Sequence, residues 1–117
     1  MNLDQVRRFA MSLPEVTEEP HFEYTSFRVR GQIFASAPPG GKHLHVFVGD
    51  QERDLALTTE PAFLEPLLWG AQVRGVRVVL GKAKPTVVRE LVREAWSRKA
   101  PKALSSQSPA RGKPRAR

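Results

Sequence analysis

Residues 26–36 read SFRVRGQIFAS, and this stretch decides the fold class. Polar and apolar side chains alternate on both sides of Gly31, which is typical of β-strands that bury one face. A glycine between two such segments indicates a tight turn, because it accepts backbone angles that other residues avoid. The stretch therefore predicts an antiparallel hairpin with one buried face.

Further segments extend this hairpin into a sheet. Residues 43–48, HLHVFV, alternate again after the PPGG break at 38–41, and residues 76–80, VRVVL, predict another strand. A weaker strand is predicted over residues 53–58, where Leu55 and Leu57 would share a face. We expect an antiparallel sheet of about five strands.

Helical patterns flank these strands. Residues 2–13 repeat apolar side chains every three or four positions, and Asn2 with Gln5 has the spacing of a capping box. Residues 86–98 repeat the pattern behind Pro85, and Thr59 is positioned to cap a short helix that Pro66 bends or ends. The glutamate-rich residues 15–24 predict a polar connection. Together the elements predict an α+β fold of two layers, with helices packed on the sheet.

The net charge of +7 is concentrated at one end of the chain. Residues 1–97 carry twelve basic and twelve acidic side chains, whereas residues 98–117 carry seven basic side chains and no acidic one. From Pro101 onward, proline, serine, alanine and basic residues lack any periodicity, which predicts a disordered tail. We therefore expect a domain over residues 1–100 and a tail over residues 101–117.

Composition excludes several classes of protein. The chain has no cysteine, so disulfides and thiolate chemistry are absent. No apolar run approaches the length of a membrane span, and the N-terminus lacks the apolar core of a signal peptide. We expect a soluble cytoplasmic protein without a membrane partner.

Three stretches carry a resemblance to a known family: FAMSLPEV at 9–16, FRVRGQIFAS at 27–36 and RKAPKAL at 98–104. In their order and spacing the chain resembles the MmcQ/YjbR family over residues 1–104. The resemblance implies a fold like that of CyaY (frataxin) and a role in binding DNA. Frataxin-like proteins carry an acidic ridge for iron on the first helix, but here Asp4 stands alone against Arg7 and Arg8, so we expect no iron role.

Two groups of basic side chains are candidates for contacting nucleic acid. Alternation places the first group on the open face of the sheet, beside Phe47, where basic and aromatic groups suit phosphates and bases. The same pattern also describes an ordinary solvated sheet face. The second group is the tail, whose charges attract polyanions without needing a fold. The candidates are Arg28, Arg30, Lys42, His43 and His45 on the sheet, and Arg98, Lys99, Lys102, Arg111, Lys113, Arg115 and Arg117 in the tail.

Other patterns predict no chemistry. His43 and His45 share a strand face, but no third ligand accompanies them, so we expect neither a metal nor a cofactor. The glutamates of residues 15–24 match no calcium loop, and a solvated connection is the simpler interpretation. Trp69 and Trp96 occur at apolar spacing, which predicts that both pack in the core.

The leading hypothesis is a non-enzymatic, nucleic-acid-associated module that binds DNA. The alternative is a protein–protein adaptor, whose partner is another protein or a second copy of the chain in a homodimer. It would use its sheet and helices in the manner of the secretion-chaperone folds, to which the family is also compared. A third hypothesis, a small-molecule binder or enzyme, is disfavoured because no nucleophile–base pair is present. An exposed apolar patch would favour the adaptor, and a pocket with convergent polar groups would favour the third hypothesis.

Overall fold

The computed structural model describes residues 1–105, and the tail candidates Arg111, Lys113, Arg115 and Arg117 lie outside the described residues. The described residues form helices, strands and one 3-10 turn at Leu80–Lys82. The helices and strands, in chain order, are α1 (Leu3–Ser12), β1 (Val16–His21), β2 (Tyr24–Val29), β3 (Gln32–Ala37), β4 (His43–Val46), α2 (Asp50–Thr59), β5 (Leu64–Trp69), β6 (Gln72–Val79), α3 (Pro85–Lys99) and α4 (Lys102–Ser105).

The strands form one antiparallel sheet in the order β1-β2-β3-β4-β6-β5, and the α+β prediction is confirmed. The predicted hairpin is β2–β3, where Val29 pairs with Gln32 across a two-residue turn. Both turn residues, Arg30 and Gly31, have positive φ angles of 52° and 80°. This is the arrangement of a type I′ turn, which matches the twist of the flanking strands.

One face of the sheet is covered by helices. Phe27, Leu44, Val46 and Val78 are fully buried there, together with Trp96 of α3. The indole N–H of Trp96 donates to the Pro14 carbonyl at 3.1 Å, so the largest core side chain has no unsatisfied donor. The predictions for α3 and for Trp96 are confirmed. Side chains that alternate with the buried set point to the opposite, open face of the sheet.

The first helix is also confirmed, including its cap. The Asn2 side chain accepts from the Gln5 backbone N–H, and the Gln5 side chain accepts from the Asn2 backbone N–H, both at 2.9 Å. Val6 and Ala10 form the buried stripe of α1. No helix within residues 1–105 is long and apolar enough to cross a membrane.

The prediction of a polar connection over residues 15–24 is wrong, because most of this segment forms the edge strand β1. Only Val16 of this strand is buried. An edge strand needs few buried side chains, and it tolerates Pro20 because one row of its backbone groups has no strand partner. Its charged side chains therefore hide the alternation that identifies an interior strand.

The predictions for residues 53–68 are also wrong. The segment expected to be a strand is helix α2, in which Leu55 is 66% exposed and Ala56 is buried, so the Leu55–Leu57 alternation had no structural meaning. The helix expected after Thr59 is instead strand β5. Pro66 lies at the other edge of the sheet, where a missing N–H costs no ladder bond.

The folded part continues past the predicted boundary at residue 100. Helix α4 begins at Lys102, and Leu104 is only 7% exposed within the core cluster. Burying a leucine side chain contributes about 1.5–3 kcal/mol. The short helix therefore closes the core on the side of α3.

Two truncations test this closure. A chain ending at residue 105 is expected to melt within about 2 °C of the full chain, because two alanines and two prolines are the only apolar residues among 106–117. A chain ending at residue 100 loses Leu104 and is expected to melt roughly 5–15 °C lower. Thermal unfolding by circular dichroism measures both. Equal melting of the two truncations would show that α4 adds no stability, and a fall in the longer one would show that residues 106–117 dock.

Candidate functional site

Acidic side chains of the β1 region neutralise the two strand arginines. Arg28 Nε donates to Ser26 Oγ at 3.0 Å and lies 3.8 Å from a Glu19 carboxylate oxygen. Arg30 holds Glu15 in a two-pronged ion pair, with Nη2 3.1 Å from Oε2. The hydrogen bond from Arg30 lowers the pKa of Glu15 and the ion pair raises the pKa of Arg30. These arginines contribute little net positive charge to the open face.

The other strand candidates lie nearer the middle of the sheet. His43 and His45 are half-buried on the open face, opposite Val79 and Arg77 of β6, and Lys42 is exposed just before β4. Within residues 1–105, no three histidine or acidic side chains are grouped closely enough to hold a metal ion. The prediction that no metal binds remains a prediction.

A cleft of about 720 Å³ opens on the face of the sheet opposite the buried core, and the first residue of α2 and the last turn of α3 reach its rim. Its floor includes Ile33, Ser36 and His45 of β3 and β4. Two hairpins form its sides: the β1–β2 turn brings Phe22, and the β5–β6 turn brings Trp69. We call this space the hairpin cleft.

The hairpin cleft is lined by exposed apolar side chains. Phe22 is 91% exposed, Trp69 68% and Leu68 61%. Phe22 also has a φ of 60° at the first position of a two-residue turn, where glycine is favoured and a side chain costs about 1 kcal/mol. An exposed aromatic ring at a strained position is a feature that stability alone does not explain.

Trp69 was predicted to pack in the core, and that prediction is wrong. The spacing of Trp69 from Leu67 and Leu68 resembles a core pattern, but β5 is an edge strand that ends in the Gly70 turn. The indole is therefore displayed at the tip of a hairpin. The neighbouring glycine is the one sequence signal that favours a turn at this point.

Cations line the same cleft. Three of them form no ion pair within residues 1–105: Arg74, Arg98 and Lys99. Arg98 donates a hydrogen bond to the Phe47 carbonyl at 3.4 Å, and Arg74 donates one to the Gln72 side chain at 3.4 Å. Asp50 also lines the cleft, but its carboxylate pairs with Arg53 at 3.0 Å. The structure thus brings together aromatic rings and cations that have no carboxylate partner in the described chain.

Only some of the predicted residues meet in this cleft. His45, Arg98 and Lys99 line it, whereas Arg28, Arg30, Lys42, His43 and Lys102 do not. Sequence reasoning missed the aromatic side chains, because their exposure follows from tertiary placement. It also missed Arg74, which is the extra residue of a β-bulge in β6 opposite β5. A bulge changes the direction of the side chain at the extra position.

The fold and the cleft together define the class of protein: a small α+β domain with helices on one face of an antiparallel sheet and an open cleft on the other. The model of the YjbR family matches residues 11–98, and the chain therefore belongs to the YjbR family. The resemblance inferred from the sequence motifs is confirmed.

One solved structure has the same architecture. The crystal structure of the Deinococcus radiodurans protein DR2400, with the family-model domain DUF419, aligns with a TM-score of 0.75 at 19% identity. The alignment covers 97% of this chain and 95% of that one, which establishes the shared fold. No curated protein matches the chain.

Proposed function

We propose that this protein is a non-enzymatic module that binds nucleic acid in the hairpin cleft, with single strands preferred. One observation carries the proposal: exposed aromatic rings line the same open cleft as cations that have no ion-pair partner within residues 1–105. Aromatic faces stack unpaired bases, and cations without carboxylate partners attract the phosphates between them. A duplex keeps its bases stacked within the helix, so it cannot use the rings in this way.

The basic residues of the tail follow two of the cleft residues in the sequence. Helix α3 brings Arg98 and Lys99 to the cleft, and the chain continues from there toward the remaining basic residues. We propose that the tail adds affinity for phosphates of any sequence and that the cleft adds contacts to bases. The strand arginines, already paired with Glu15 and Glu19, have a smaller role in this arrangement.

Replacing Trp69 by alanine tests the proposal. The change is expected to raise the dissociation constant for a labelled single-stranded 12-mer roughly 5- to 100-fold, because stacking is worth about 1–3 kcal/mol per base. Fluorescence anisotropy measures the binding. Leu55→Ala is the matched control, since Leu55 is 66% exposed on α2 and does not line the cleft. Equal losses in both variants, or none in either, would contradict the proposed site.

A protein–protein adaptor is the second candidate, and a specific observation favours it. Three exposed apolar side chains surround one cleft: Phe22, Leu68 and Trp69. Exposed apolar patches of this kind often mark the place where a protein partner binds. Under this alternative the full chain self-associates, and Leu68→Ser dissociates it in sedimentation experiments. A monomer up to about 100 μM that binds single strands would support the nucleic-acid proposal instead.

A further inference from the structure

A smaller recess adjoins the hairpin cleft and is lined by residues of β2, β4, β5 and β6. It has a volume of about 390 Å³ and shares Tyr24, His45, Leu67 and Leu68 with the larger space. Pro66, Leu67 and Leu68 form an apolar wall, and Arg77 projects from β6. The recess is large enough for a phosphate group with part of an attached sugar.

Three polar side chains converge on this recess. His45 and Arg77 are directly paired across β4 and β6, and the rings of Tyr24 and His45 are 5.8 Å apart between centroids. The Tyr24 hydroxyl and the His45 imidazole form no side-chain hydrogen bond within the described residues. All three are donors or potential donors, which is the chemistry that an anion requires.

Arg77 is incompletely satisfied. Its Nε is buried without a hydrogen-bond partner among residues 1–105, and its nearest carboxylate contact, to Glu65, is 3.7 Å long. A contact of that length is an ion pair without a hydrogen bond. The rest of the Arg77 side chain is partly exposed, so its terminal N–H groups can donate to an oxyanion in the recess, and hydrogen bonds from a guanidinium to an oxyanion are among the strong ones.

We propose that Tyr24, His45 and Arg77 form a subsite for a phosphate group, and that the adjoining Leu67–Leu68 wall contacts the sugar or base attached to it. If the phosphate belongs to a nucleic-acid strand bound in the hairpin cleft, the inference rests on the proposed function. The same chemistry also accepts a free mononucleotide. The subsite is the place where a backbone or terminal phosphate is fixed, while Phe22 and Trp69 contact bases farther along the cleft.

Binding at this subsite is coupled to protonation of His45. Burial, then the charges of Arg77 and His43, lower the pKa of His45. A bound phosphate favours the imidazolium and raises that pKa, so affinity rises as the pH falls through the interval between the bound and free values. The groups that face His45 at the subsite are Tyr24, His43, Arg77 and, through Arg77, Glu65; His21, Asp50, Arg74, Arg98 and Lys99 lie along the rest of the cleft.

The test uses the full chain and three probes: inorganic phosphate, thymidine 5′-monophosphate and a single-stranded 12-mer. Arg77→Met removes the guanidinium from a side chain that is 41% exposed. Arg8→Met is the matched control, because Arg8 is an exposed residue of α1 that does not line the recess. We expect inorganic phosphate to shift the His45 imidazole resonances of the native chain and to raise the pKa of His45. In Arg77→Met, affinity for every phosphate probe should fall at least about tenfold, whereas Arg8→Met should leave it unchanged.

The three probes distinguish a failure of the phosphate subsite from a failure of the proposed nucleic-acid function. If the 12-mer binds the native chain and Arg77→Met equally well, with unchanged His45 resonances, the subsite is wrong and the nucleic-acid function stands. If phosphate and the mononucleotide shift His45 but the 12-mer does not bind, the subsite holds for free nucleotides and the proposed function fails. In His45→Gln, phosphate affinity should keep only the pH dependence that comes from the second ionisation of the probe itself, whose pKa is about 6. A pH profile of His45→Gln that matches the native profile would contradict the role of His45.

Discussion

Replacing Gly75 by alanine is expected to lower the free energy of unfolding by at least about 3 kcal/mol, which corresponds to a fall in melting temperature of roughly 15 °C. Gly75 lies on β6 where this strand approaches the end of β4. A Cβ atom there would overlap the Val46 carbonyl oxygen and lie 3.0 Å from the Phe47 Cα. Both are backbone atoms of the sheet, so neither can rotate away as a flexible side chain would.

Gly81→Ala provides the matched control. A Cβ atom at Gly81 meets nothing within 4 Å, and the residue does not have a positive φ angle. This variant should melt within about 2 °C of the native chain. Thermal and urea unfolding of the two variants measure the difference. If Gly75→Ala unfolds like Gly81→Ala, the close approach of β4 and β6 is wrong, and with it the floor of the hairpin cleft.

Deleting residues 106–117 is expected to produce the largest loss in nucleic-acid binding. The deletion removes Arg111, Lys113, Arg115 and Arg117. Four phosphate contacts on a single strand contribute about 3 to the slope of log affinity against log salt. The slope should become shallower by up to that amount, and affinity at about 50 mM salt should fall by up to roughly a thousandfold, alike for all sequences.

A full-length variant with these four residues changed to glutamine separates charge from chain length. This variant should match the deletion in both slope and affinity. Arg28→Ala should leave the slope near its native value, because Ser26 and Glu19 already hold the Arg28 guanidinium. An unchanged slope in the glutamine variant would show that the tail is not the electrostatic anchor.

The parts of the fold that were predictable are those whose local pattern agrees with their final burial. The β2–β3 hairpin alternates because one of its faces is buried, and Gly31 supplies the positive φ that its turn needs. Helix α3 shows its period because it buries a full stripe ending at Trp96. In both elements the buried side chains are numerous enough to impose a period on the sequence.

The elements that were missed bury little or lie at an edge. Strand β1 buries only Val16, and β5 contains Pro66, because edge strands favour polar residues and proline that discourage further pairing. Helix α2 buries only Ala56, which leaves no helical stripe to detect. Since β1 was not recognised as a strand, the pairing of its glutamates with Arg7 and Arg28 could not be anticipated.

The site was only partly predictable for a related reason. Charge alone identified Arg98 and Lys99, because an excess of one sign is visible in the sequence. The exposure of Phe22 and Trp69 depends on where two hairpins end relative to one sheet face, which no local pattern encodes. An aromatic residue in a sequence predicts burial by default, and its display on a turn is a property of the assembled fold.

The central claim, that the hairpin cleft holds single-stranded nucleic acid, is tested most directly by the two indole N–H signals in an NMR titration with a single-stranded 12-mer. Trp69 is 68% exposed in the cleft, whereas Trp96 is fully buried and donates to Pro14 on the other side of the sheet. We predict that the Trp69 signal shifts progressively to saturation, together with the amides of Phe22 and Arg74, while the Trp96 signal stays in place. Saturable binding that leaves Trp69 unmoved, with shifts confined to Arg28 and Arg30, would contradict the claim.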